Sequence, residues 1–170
     1  MVHLAEEVFI RKFQPNDIDS CRSLWRELVE WHRMLYEDST IGREYPETYF
    51  DKHLSTVGEN HLWVAVLASK VVGLIGLILR EKEGEVEPLI VGQAHRHKGI
   101  GTKLINTVVI EAQKIGLNSL SIKPVLRNLE AMQFFNKQGF KSIGQIELYV
   151  NFSEKHKKKS LQLFGLPFDF

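Results

Sequence analysis

Apolar residues recur along this chain at two periods, and the switches between the two divide it into elements. Val8 to Phe13 alternates as a half-buried strand does. Pro15-Asn16-Asp17 then supplies helix-start chemistry. Ile18, Cys21, Leu24, Trp25, Leu28, Val29, His32 and Leu35 follow at helical spacing, which predicts a helix over 17–36 with one buried face. A polar loop with Gly42 occupies 37–45, and a short second helix runs from Pro46, suited to a first turn, to about Ser55. Two apolar runs, 62–67 and 71–79, flank Ala68-Ser69-Lys70 and read as a hairpin. Residues 81–84 turn the chain into a fourth strand, Val86-Glu87-Pro88-Leu89-Ile90-Val91. A basic loop leads into an amphipathic helix over 102–115, and a short fifth strand covers 120–124. The helix over 128–138 is closed by Gly139 at a C-cap position, and 140–143 and 146–152 read as closing strands.

The order β-α-α-β-β-β-α-β-α-β-β predicts a mixed α/β (α+β) domain, a central twisted sheet with helices on both faces. The 170 residues suffice for one domain with a substantial core, placed at 1–152, followed by a tail at 153–170. A formal net charge of +1 provides no global field to recruit nucleic acid or membrane, which argues against either as a partner. The tail is basic through Lys155, Lys157, Lys158 and Lys159, then apolar through Leu161, Leu163, Phe164, Leu166, Phe168 and Phe170. That apolar end is expected to fold back on the domain or on a second copy, so a homodimer is a candidate assembly. The single cysteine, Cys21, excludes an internal disulfide and falls on the apolar stripe of the first helix. Glu6 and Glu7 stand where a signal peptide needs apolar residues, and the longest apolar run falls far short of the ~20 residues that span a bilayer. A soluble cytoplasmic protein is the expectation.

The chemistry is concentrated in Gln93-Ala94-His95-Arg96-His97-Lys98-Gly99-Ile100-Gly101-Thr102-Lys103-Leu104. Its Arg-x-x-Gly-x-Gly pattern lets backbone N–H groups crowd around an anion, and the next helix adds its unpaired N–H groups and the positive end of its dipole. Neither the P-loop pattern nor the three-glycine dinucleotide fingerprint is present. Downstream, 128–140 has the form Asn-x-x-Ala-x-x-Phe-aromatic-x-x-x-Gly-Phe. Together the two stretches resemble the acetyl-CoA-binding core of the GNAT superfamily of N-acetyltransferases. Element order carries that resemblance over about 8–152, and the specific motifs over 86–140.

The resemblance implies a sheet splayed between strands 4 and 5, with acetyl-CoA as co-substrate entering the opening. Leu89, Ile90 and Val91 would offer backbone groups to the pantetheine and thioester, with the N–H near Val91 facing the acetyl oxygen. Arg96, His97, Lys98, Gly99, Ile100, Gly101 and Thr102 would carry the pyrophosphate. Asn128 would hydrogen-bond the pantetheine arm, though asparagine also makes a good helix N-cap without any ligand. Glu87 stands where several relatives place a general base. Other relatives place the base five residues before the asparagine, which is Lys123 here. Phe135, assigned to the cofactor site, departs from the usual tyrosine and has no proton for a leaving thiolate. Tyr149 is the candidate substitute. Pro88 removes a strand N–H and marks an edge or a bulge. No metal ligand set is assigned.

Read this way, the chain transfers an acetyl group to a primary amine of a small molecule or peptide by direct attack. The alternative is an acyl-CoA-binding module with weak or lost catalysis, for which Phe135 is the best argument. Glu85 and Glu87, with Glu37, Asp38, Glu44 and Glu47 beside Trp31, Tyr36, Tyr45 and Tyr49, suggest an acidic, aromatic acceptor side suited to a cationic amine.

Overall fold

Leu62, Val64 and Val66 share one face of a strand and pack into a common apolar cluster, while Trp63 and Ala65 on the other face are buried as well. The computed structural model describes residues 7–150, 152 and 160–170. The chain forms two compact units, one made of the part up to Glu30 with Gly42–Lys123, the other of Trp31–Ile41 with Pro124–Phe170.

The first unit holds a five-stranded sheet of β1 (Phe9–Lys12), β2 (Leu62–Leu67), β3 (Lys70–Arg80), β4 (Glu83–Val91) and β5 (Ser119–Ile122), in that spatial order. All neighbours are antiparallel except β4 and β5, which are parallel. Its helices are the N-terminal part of α1 (Ile18–Tyr36), α2 (Thr48–Val57) and α3 (Ile100–Lys114). Cys21 and Leu24 of α1 and Phe50 of α2 pack with Leu62, Val64, Val66, Leu74 and Ile90. Each fully buried side chain of this kind contributes about 1.5–3 kcal/mol. Ile100 and Leu104 of α3 lie over Gly73 of β3, so α3 covers the opposite face, as the order of elements predicts. Cys21 is fully buried, and burial pushes its thiol pKa up to about 12, as befits a small core residue.

β4 carries the features that matter for function. Its register with β3 passes from Leu77 opposite Val86 to Ile75 opposite Leu89. Gly76 therefore faces two residues, Glu87 and Pro88, and the proline marks the expected bulge. On its other edge, β4 pairs with β5 only over Glu83–Val86, and β5 stops at Ile122, ahead of Pro124. Within this unit, Glu87–Val91 runs on beside β3 alone. The splay between strands 4 and 5 is this loss of pairing. Gly84, in contrast, does not turn the chain. It pairs with Leu79 inside the ladder, and the reversal falls at Glu81 and Lys82, with Glu81 at φ 50°.

The second unit contains α4 (Leu129–Lys137), the C-terminal part of α1, and a hairpin of β6 (Ser160–Leu163) and β7 (Leu166–Asp169). Among the described residues the closing strands expected at 140–143 and 146–152 are not formed, and Lys141–Val150 is exposed throughout, without secondary structure. The alternation over 146–150 has no buried face to pin a register, and an apolar run without a partner edge does not make a ladder. The chain closes instead at β6 and β7, joined by Phe164 (φ 54°) and Gly165 (φ 76°), the left-handed pair that tight hairpins require. Arg127 Nη2 donates to the carbonyl of Phe170 at 2.7 Å, tying down the chain end. The tail lysines 155 and 157–159 lie outside the described residues. Among the described residues no helix is long and apolar enough to cross a membrane.

Candidate active site

The half of β4 that lacks a β5 partner runs directly into the basic loop. Gln93–His95 forms a short 3-10 turn, and the backbone N–H of Gln93 donates to Glu27 Oε2 of α1 at 2.9 Å. His97 (φ 60°) and Gly99 (φ 76°) are both left-handed, and Gly99 is the N-cap of α3. Alternating hands coil a backbone so that successive N–H groups face inward, and the first-turn N–H groups of α3 lack intrahelical acceptors. A Cβ built on Gly99 meets nothing within 4 Å, so space lies over the turn. The cations brace the loop rather than reaching out of it. Lys98 Nζ donates to the Ala94 carbonyl at 2.9 Å, Arg96 Nε to that of Val91 at 3.3 Å, and Lys103 Nζ to that of Val8 at 3.0 Å. An anchored, coiled loop at a helix start fits a pyrophosphate, the anionic part of acetyl-CoA. Arg96 to Thr102 thus sit together, directly after Leu89, Ile90 and Val91. The Ile90 and Ile100 side chains are buried in the core, so only their backbones can face a ligand.

Glu87 stands at the bulge, with its side chain half exposed. Beside it is a residue the sequence reading did not single out. His53 Nε2 lies 2.9 Å from the Glu87 carbonyl oxygen, and its Nδ1 lies 3.8 Å from Glu87 Oε1. A carbonyl can only accept, so Nε2 carries the proton and Nδ1 presents a lone pair. Burial lowers the His53 pKa from its ordinary value, more than the nearby Glu87 charge raises it, and the ring is neutral at pH 7. The Trp25 ring, centred 5.0 Å away, packs against it. The available signal was a polar residue on the apolar stripe of α2, where His53 follows Phe50 by three and precedes Val57 by four.

Two of the other expected acidic residues, Glu85 and Glu47, are held in ion pairs. Buried Glu85 accepts from Lys123 Nζ at 2.7 Å and Arg80 Nε at 3.0 Å. These bonds, Lys123 first, hold its carboxyl below the usual range against the opposing effect of burial. Lys123 therefore neutralises Glu85 at the position where some relatives carry a base. Glu47 pairs with Arg26 at 2.9 Å.

The remaining candidates belong to the second unit. Asn128 is the N-cap of α4, its Oδ1 accepting from the Ala131 N–H at 3.1 Å. Phe135 is buried, with Phe134 at 5.2 Å and Phe140 at 5.9 Å in edge-on contacts. Tyr149 is 71% exposed and lies outside any strand, contrary to its expected place on a closing one. A hydrogen bond with Glu147 raises its pKa, so the phenol keeps its proton at neutral pH. Arg127 was not anticipated. It is buried, and its guanidinium sits 4.7 Å over the Tyr36 ring.

Residues 25–140 match the sequence model of the Acetyltransferase (GNAT) family. Human N-acetyltransferase 8 is 35% identical over 89 residues, which cover 49% of this chain and 39% of the relative. The chain matches about two fifths to one half of the length of such curated relatives. Among solved structures, an acetyltransferase of the GNAT family from Staphylococcus aureus superposes with a TM-score of 0.66 at 18% identity, over 87% of this chain and 93% of that one. An aminoglycoside N-acetyltransferase in complex with CoA gives 0.65 at 13% identity, over 90% of this chain and all of that one. At these identities the structures speak for the fold.

Proposed function

The chain belongs to the GNAT family of acetyltransferases, and on that premise we propose that it transfers an acetyl group from acetyl-CoA to a primary amine. The observation that supports this reading best is the half of β4 that leaves β5 at Val86 and, paired with β3 alone, runs into the coiled loop at the start of α3. Bound acetyl-CoA would supply the activated acyl thioester. The N–H groups from Arg96 to Thr102 would hold its pyrophosphate, and the free edge of Leu89, Ile90 and Val91 would hold the pantetheine. The Val91 N–H is the proposed donor to the acetyl oxygen as charge develops there. Glu87 would deprotonate the acceptor, because an alkyl ammonium with a pKa of ~10.4 is almost wholly protonated at neutral pH. On the family resemblance alone, Asn128 and Phe135 are assigned to the cofactor, and with phenylalanine in place of the family tyrosine the leaving thiolate would take its proton from solvent.

Phe135 favours the second reading, a module that binds acyl-CoA without efficient transfer. Its ring is buried among other aromatics and has no hydroxyl to give. Thiol release from acetyl-CoA, measured against a panel of small amines and peptides, separates the two. Turnover that Glu87→Gln depresses most at neutral pH supports transfer. Tight binding without release on any amine supports the module.

A further inference from the structure

We propose that His53 and Glu87 act as one proton-accepting pair, in which Glu87 takes the proton of the attacking amine and His53 Nδ1 then holds it. The inference rests on the acetyl-transfer reading and assigns a role to a residue that the family pattern does not supply.

The geometry carries it. The bond from Nε2 to the Glu87 carbonyl fixes the ring, and Nδ1, left without a proton, lies 3.8 Å from Oε1 of the same residue, whose side chain must swing to meet the lone pair. Two acceptors brought together repel, and a single proton turns that repulsion into a charge-assisted hydrogen bond of about 2.7–2.9 Å. Closing the gap needs a movement of roughly 1 Å. The ring is buried and anchored, whereas the Glu87 side chain is half exposed, so the carboxylate is the partner that moves. The Trp25 face, 5.0 Å from the imidazole, offers cation–π stabilisation to the protonated ring. Charges on the surrounding elements are engaged with one another. On α1 and α2 these are Arg22 with Asp51 and Arg26 with Glu47, and on the sheet Glu85 lies between Arg80 and Lys123.

The chemistry balances as follows. The ammonium first loses a proton through Glu87 to solvent, and the neutral amine nitrogen then bonds to the thioester carbon as the C–S bond breaks. The proton lost from nitrogen passes through Glu87 to Nδ1, and the leaving thiolate takes a proton from solvent. Return of the Nδ1 proton to water through Glu87 resets the pair. An imidazole behind the carboxylate gives the proton a second acceptor, shielded from solvent. Because the pair shares one proton, it titrates as a unit, and a pH–rate profile reports that unit.

The test uses lysine amide as acceptor. His53→Gln can place its amide N–H where Nε2 was, keeping the bond to the Glu87 carbonyl while deleting the Nδ1 acceptor. The expected result is a kcat about 10-fold lower, a fraction of the range for acid–base catalysis. The acid limb of kcat/KM should also move down towards the carboxylate range, with acetyl-CoA affinity unchanged. Wild-type kcat and an unmoved acid limb in His53→Gln would overturn the pairing. The second measurement needs no turnover. In a 15N titration of the His53 ring, the Nε2-protonated tautomer is expected at pH 7, and Glu87→Gln should lower the ring's apparent pKa by removing the charge that favours imidazolium. A ring protonated on Nδ1, or a pKa indifferent to Glu87→Gln, overturns the pair. Absence of thiol release with every amine would overturn the acetyl-transfer reading instead, and the ring titration still decides the pair.

Discussion

Gly76→Ala probes the bulge that holds Glu87 in place. A Cβ at residue 76 would stand 2.3 Å from the Glu87 carbonyl oxygen, 3.2 Å from its carbon and 3.3 Å from Leu62 Cδ1. The obstructing atoms are backbone, so no side-chain rotation relieves the clash, and the carbonyl must recede by about 1 Å or the strands must part. Overpacking of this kind costs about 1–3 kcal/mol. The same oxygen accepts from His53 Nε2 at 2.9 Å, and losing that bond adds about 1 kcal/mol. A total near 2–4 kcal/mol at 2–4 °C per kcal/mol, the scale for a chain of this length, lowers Tm by roughly 4–16 °C. Thermal unfolding followed by circular dichroism reads the loss. Rates on the surviving folded protein should show a reduced kcat with near-normal acetyl-CoA affinity, since the loop lies beyond the bulge. A variant with wild-type Tm and wild-type kcat would refute the claim that Gly76 is there to admit the Glu87 carbonyl.

Two further outcomes follow from the electrostatics and the aromatic cluster. Glu85→Gln removes a carboxylate that accepts from two cations, at an expected cost of about 1–3 kcal/mol at pH 7. Because the folded-state pKa of Glu85 lies below the reference value of 4.5, its contribution is present above that value and is lost as pH falls through the folded pKa. Urea melts of wild type and variant should therefore differ at pH 7 and converge in acid, and a constant difference would contradict the assignment. Phe135→Tyr should raise kcat severalfold if a missing proton donor limits thiolate release, a fraction of the ~10²–10⁴ that general acids supply. It should cost some stability, because the hydroxyl enters a buried ring cluster, and an unchanged kcat at every pH would remove proton donation from the account.

Patterns that depend on a periodic buried face were legible in the sequence. The stripe from Ile18 to Leu28 gave α1, the runs around Ala68 gave the β2–β3 hairpin, and Pro88 announced the bulge in β4. Readings that rested on local propensity alone fared worse. Gly84 was expected to turn the chain, but sits in the ladder, where a Cβ would come within 3 Å of Leu120, Leu77 and Leu117. The alternating run 146–152 read as a strand, yet alternation forms a ladder only against a partner edge. His53 escaped notice because its meaning depends on Glu87, 34 positions away in sequence, and on a bulge that turns that residue's carbonyl towards it. The contiguous binding loop was readable because its chemistry lies in successive backbone groups. A site assembled across distant elements carries no such local mark.

The most direct test of the central claim is calorimetric titration of acetyl-CoA into wild type and Gly99→Val. Gly99 has φ 76° and open space over its α-carbon, so a valine side chain would project where the pyrophosphate is placed. It would also strain a left-handed turn that β-branched residues resist. The account predicts saturable 1:1 binding to wild type and at least about a tenfold weaker Kd for the variant, a loss of ~1.4 kcal/mol or more. Equal affinity in the two proteins, or no binding to either, would contradict it.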